Sequence, residues 1–154
     1  MKTEAVERFW AEFCAVDPSV SPTTPYQSWF FGNTREMAAE LASLVLSRRK
    51  TATASLLAMN ELNPGDAPRP DGYSVITDFD GDPLCVLQTT EIRHIPFDEV
   101  DEQFASEEGE GDLSYDYWRR VHWDYFSSEA ELNGFEFDGR SIVCCERFRV
   151  LYPR

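Results

Sequence analysis

Residues 33–56, NTREMAAELASLVLSRRKTATASL, decide how the rest of the chain is read. Met37, Ala38, Leu41, Ala42, Leu44 and Val45 recur at three- and four-residue intervals, the apolar face of an amphipathic helix. Asn33 suits the N-cap, and Glu36 three residues later can return a bond to the cap's backbone N–H. The helix is expected to end in Arg48-Arg49-Lys50, where the negative end of its dipole favours each cation by about 0.3–1 kcal/mol. The β-branched Thr51 and Thr53 then favour an extended strand. Cations and hydroxyls thus meet at one helix-to-strand turn, which makes it the candidate site. A helix end with solvated cations is the plainer reading of the same residues.

Upstream, Val6, Phe9, Trp10 and Phe13 share one face of a helix over residues 3–16, capped by Thr3 and ended by Asp17-Pro18. A proline- and serine-rich crossing leads to Tyr26, Trp29, Phe30 and Phe31, which read either as core or as a wall that stacks on a base. Downstream, Leu56–Leu62 is expected to be a short helix and 63–72 a loop. The runs 73–79 and 84–95, joined by Asp80-Gly81-Asp82-Pro83, make a hairpin. Asp78, Asp80 and Asp82 read as turn residues, since the glycine and distal glutamate of a calcium loop are not in place. A short helix should start after Pro96. From Asp98 to Asp116 there are nine acidic residues, read as a solvated face or as the source of one carboxylate turned toward residues 48–50. Ser114 should cap a helix to about Ser128, with Trp118 and His122 on its aromatic face, the histidine as a hydrogen-bonded core residue. Residues 141–151 close the chain as a strand.

The order is α+β, with a small mixed barrel or strongly curled sheet as core, and 154 residues suit one domain, 1–154. Aromatic content rules out disorder. A net charge of −14 disfavours a polyphosphate coat or duplex DNA as partner and leaves a small nucleoside or a short single strand of RNA. No apolar run suits a bilayer, so no membrane partner is expected. Cys14, Cys85, Cys144 and Cys145 lack metal-ligand spacing and read as reduced thiols of a cytoplasmic protein. No cofactor or metal is expected, and nothing indicates an oligomeric state.

A lysine beside a threonine hydroxyl can serve as its base if burial and neighbouring cations lower its pKa, with Arg48 and Arg49 as those cations. Residues three apart on a regular strand point to opposite faces, so Lys50 must lie in the turn to reach Thr53.

The segments 29–56, 96–126 and 143–153, with EEGEGD, YW, H and ERF in order, resemble the ASCH domain family in its longer bacterial form, with the helix over 3–16 added to the core. The resemblance implies a PUA-like β-barrel associated with RNA binding, and a cleft in which the lysine of a KTxT motif faces a glutamate. More distantly the chain is similar to N4-acetylcytidine amidohydrolases, whose KTxT motif matches Lys50, Thr51 and Thr53. Their glutamate falls on Glu108, or on Glu107 if the gap shifts by one. The resemblance thus implies Lys50 as base, Thr53 as nucleophile and Glu108 as proton relay. Arg48, Arg49, Thr51, Ser55, Tyr26, Trp29 and Trp118 would bind substrate. Relatives described as ribonucleases or RNA-binding modules imply the alternative. Arg48 stands where the pattern has glycine, so the turn is expected to differ. Ser55 stands where the amidohydrolases have arginine, and Asn33 where aspartate is common.

Overall fold

The computed structural model describes residues 2–154. Helix α1 (Glu4–Val16) starts at Thr3, whose Oγ1 accepts from the Val6 N–H at 3.2 Å. Strand β1 (Tyr26–Trp29), helix α2 (Arg35–Leu46), strand β2 (Ala52–Leu56) and the short α3 (Leu57–Leu62) follow. The hairpin is β3 (Tyr73–Thr77) and β4 (Pro83–Pro96); Asp78 Oδ1 accepts from the Asp80 and Asp82 N–H groups, the expected turn. A 3-10 turn (Phe97–Glu99) leads to α4 (Glu102–Glu107), α5 (Tyr115–Asn133) and β5 (Ile142–Tyr152). The N-cap of α2 is Thr34 rather than Asn33, because its hydroxyl accepts from the Met37 N–H at 3.1 Å.

The five strands form one sheet in the order β1-β3-β4-β5-β2. Three neighbouring pairs are antiparallel; β1 runs parallel to β3 and, at four residues, carries too little alternation to be read from sequence. The expected barrel is corrected here: β1 and β2 are free edges, and the sheet curls without closing. It is an α+β architecture, and its opening turns out to matter.

Burial follows the helix faces. Helix α1 places Val6, Trp10 and Phe13 against Val75 and Val86 of the hairpin. Helix α2 places Val45 against Ile76, Leu87 and Phe148. Helices α4 and α5 place Phe104, Trp118 and Phe126 against Leu56, Val143 and Cys145. All four cysteines are buried free thiols, and burial pushes Cys85 and Cys145 up to about 12. Among the described residues no helix is long and apolar enough to cross a membrane.

Candidate functional site

The turn after α2 is built by backbone geometry. Arg48 adopts φ +64°, which lets the Arg49 and Lys50 N–H groups both donate to the Leu44 carbonyl, at 3.0 and 3.1 Å. Arginine here takes the left-handed cap conformation that glycine takes more cheaply, so a different turn does not follow from the absent glycine. Lys50 lies in the turn, before β2 begins. The turn docks on the end of α4: the Thr51 N–H donates to the Glu107 carbonyl at 2.8 Å. Gly109, at φ +71°, packs so closely on the Arg49 carbonyl that a side chain there would overlap it.

This docking delivers Lys50 into a buried ionic cluster. The Lys50 side chain is 1 % exposed, and its Nζ donates to Glu108 Oε1 at 2.9 Å, Glu110 Oε2 at 3.0 Å and the Glu108 carbonyl at 3.4 Å. Glu108 Oε2 accepts from the Trp118 indole N–H and faces His122 Nε2 at 3.0 Å. His122 Nδ1 lies 2.8 Å from the Trp118 carbonyl, which can only accept, so Nδ1 carries a proton. Nε2 faces a carboxylate and carries one as well, so with both nitrogens protonated the cluster holds two cations against two anions.

The pKa directions follow. Burial pulls Lys50 down, but Glu108 and Glu110 outweigh it and the net shift is up. Burial pushes Glu108 up, and Lys50, His122 and Trp118 reverse it to a net fall. Burial pulls His122 down, and Glu108 turns that into a net rise. Glu110 rises through burial and the nearby Glu108, against the pull of Lys50. The expected fall in Lys50 pKa is therefore overturned: its hydrogen-bonding partners Glu108 and Glu110 are carboxylates, and they outweigh the effect of burial. Glu108, Glu110 and His122 each present a ligand atom within 4.8 Å of the others, as a metal set would. The Lys50 ammonium already supplies the positive charge between the carboxylates, so this donor set is not arranged to receive an ion.

Beside the cluster lies a cleft between the two free edges of the sheet. Gln27 and Trp29 of β1, then Phe30 and Phe31, form one wall; Thr53, Ala54 and Ser55 of β2 form the other, with Glu146, Asn60 and Tyr125 among the remaining lining. Lys50 Nζ lies 5.7 Å from the centre of the Phe31 ring, so the cluster sits behind this aromatic wall. Gln27 donates to the Gly65 and Ala67 carbonyls at 2.9 and 2.8 Å, which ties the 63–72 loop across the cleft. Ser55 Oγ accepts from Asn60 at 3.1 Å. Thr53 Oγ1 makes no hydrogen bond among the described residues. The Phe148 N–H bond to the Thr51 carbonyl, 3.1 Å, sets the ladder phase: Thr53 and Ser55 bond to β5, and Ala54 turns its N–H and C=O to the free edge.

The structure thus brings Thr53, Ser55 and Trp29 to the cleft and Lys50 with Glu108 behind it. Five substrate-binding expectations are corrected. Tyr26 stacks on Trp10 at 4.3 Å, on the α1 side of the sheet, away from the cleft. Trp118 is 2 % exposed, stacked between Phe97 and His122, and cannot meet a base. Arg48 donates to the Leu46 and Pro153 carbonyls on the surface, and the neighbouring Arg49 is exposed and off the cleft. Thr51 is exposed and bonds Glu107 instead. Lys50 itself is enclosed rather than facing solvent. Glu107, the shifted candidate, pairs with Arg147 Nε at 2.5 Å. Unforeseen were Glu110 and Glu146; a run of like charges gives no sign of which member turns inward.

A curled five-stranded sheet open at one seam, with a buried lysine–carboxylate cluster behind the opening, defines an α+β protein with a cleft at that seam. The family model of the ASCH domain matches residues 27–152, and the chain belongs to that family. An ASCH domain structure from Lactobacillus crispatus aligns at 29 % identity with TM-score 0.87, over 97 % of this chain and 96 % of that one. A protein of Enterococcus faecalis aligns at 32 % identity with TM-score 0.84, over 96 % of this chain and 88 % of that one. No curated protein matches the sequence.

Proposed function

We propose that this protein hydrolyses an acylated pyrimidine nucleoside such as N4-acetylcytidine, with Thr53, Lys50 and Glu108 as its working residues. The observation that carries the reading is the Thr53 hydroxyl, unpartnered at the cleft and facing a wall that contains Trp29 and Phe30. A planar base stacks on such a wall at about 1–3 kcal/mol. Thr53 Oγ1 attacks the acyl carbon. The outward N–H of Ala54 stabilises the oxyanion, and the Lys50 charge, held by Glu108, lowers the cost of negative charge nearby. A net charge of −14 and the carboxylates of Glu146 and Asp66 at the cleft favour an uncharged nucleoside over a phosphate chain.

One observation favours a second reading. Every ammonium proton of Lys50 is already engaged, which suits a module that holds a nucleoside or short single-stranded RNA without breaking a bond. Chromatography of N4-acetylcytidine after incubation with the protein separates the two. Cytidine should appear with the unmodified chain and fall by about 10³-fold or more with Thr53→Val. No product at high protein concentration rejects hydrolysis of this substrate, and binding of short RNA that weakens steeply with salt then supports the module.

A further inference from the structure

Thr53 needs a proton acceptor, and the buried cluster does not offer one. Lys50 is held as an ammonium, both oxygens of Glu108 are occupied, both ring nitrogens of His122 carry protons, and Glu110, bonded to Lys50 through Oε2, does not line the cleft. Glu146 is different. It lies directly across the β2–β5 ladder from Thr53, so the two side chains stand on the same face of the sheet about 4.5–5.5 Å apart at Cβ. It is 5 % exposed and lines the cleft. Thr89 Oγ1 donates to its Oε2 at 2.6 Å and fixes the carboxyl plane. Every sealed side-chain polar atom among the described residues has a partner, and Glu146 Oε1 has none, so Oε1 opens to the cleft.

We propose that Glu146 is the proton-transfer residue of the cleft, taking the Thr53 proton on attack and returning it to the leaving group. The inference rests on Thr53 as nucleophile. In the first step the Thr53 Oγ–acyl bond forms, its proton passes to Glu146 Oε1, and the acyl C–N bond breaks as that proton moves to the departing nitrogen. In the second, water attacks the Thr53 ester through Glu146, releasing the carboxylic acid and restoring the threonine hydroxyl. The sum is amide plus water to amine plus acid. Burial pushes the Glu146 pKa up, against the Thr89 hydrogen bond and the Lys50 charge, which brings the carboxyl nearer the range where a base works at neutral pH.

The test uses p-nitrophenyl acetate, an activated acyl donor that needs no nucleoside recognition. The unmodified protein should become acetylated at Thr53, located by peptide mass spectrometry, with p-nitrophenolate released. Glu146→Gln keeps an acceptor for Thr89 and cannot carry the proton; its acetylation rate should fall about 100-fold. Glu146→Asp should recover part of that loss, which a merely structural role would not produce. No acetylation of Thr53, a Glu146→Gln rate within threefold of the unmodified protein, or an aspartate variant no faster than the glutamine one overturns the proposal. Acetylation of Thr53 without cleavage of N4-acetylcytidine would instead reject only that substrate.

Discussion

The polar groups around Lys50 and those around Thr53 lie three residues apart in sequence and differ in how they are satisfied. Around Lys50 every donor meets an acceptor, across as many as 60 residues of chain, and Lys50 and Glu108 are sealed from solvent. Around Thr53 a hydroxyl, a carboxyl oxygen and an edge peptide are left open to a cleft. A buried ionic group must be fully paired because an unpaired one costs several kcal/mol, so the first region is fixed by the stability of the fold. A group that handles substrate must keep a free lone pair or proton, so the second region is the one to which the proposed chemistry is assigned. Charge alone points to the first region, and open hydrogen-bonding capacity points to the second.

The contrast can be broken from either side. The largest effect is expected for Glu108→Ala, which strands Lys50 and His122 and should cost about 3–5 kcal/mol in denaturant unfolding. Thr53→Val in the same assay should stay within about 1 kcal/mol of the unmodified chain. Equal losses in the two would erase the distinction. Gly109→Ala comes next, at about 2–3 kcal/mol, because it adds left-handed strain and overlap with the Arg49 carbonyl at the docking of the turn.

A pH series sharpens the same point. The His122 pKa is raised, so the stability it contributes is complete below its unfolded value and is lost as pH rises through the folded one. Glu108 is lowered, so its share is present above the unfolded carboxylate value and lost only as pH falls through the folded one. The groups facing His122 are Glu108, Glu110 and the Trp118 carbonyl. The stability gap between the unmodified protein and His122→Asn should shrink as pH is raised from 6, and a gap that does not change would mean that the imidazole is neutral. The smallest effect is expected for Arg48→Gly. Relief of the left-handed strain opposes loss of two surface hydrogen bonds and a more flexible unfolded chain, leaving stability within about 1 kcal/mol.

Periodicity was enough for α1, α2 and the β3–β4 hairpin, and the two-residue period of strands correctly required Lys50 to sit in the turn. Resemblance, rather than spacing, selected Glu108, which caps α4 and turns inward while Glu107 turns to Arg147. Three features escaped for physical reasons. An inward carboxylate and a solvated one look alike in a run such as EEGEGD, which hid Glu110. Trp118 sits on an apolar helix face whatever its indole N–H does, which hid its bond to Glu108. Glu146 lies in a strand whose partner is set by a register 93 residues away, which local sequence does not contain.

The seam between β1 and β2 has a consequence for how such a protein could diversify. Its span is bridged by residues 63–72, anchored through Gln27, and that bridge contributes nothing to the ionic cluster. Lengthening or shortening a surface connection costs little free energy, so the aperture can be resized while the cluster that holds the scaffold stays untouched. Persistence and novelty are thereby assigned to separate stretches of one short polypeptide. A new ligand can be admitted by editing ten residues of loop rather than by rebuilding the interior.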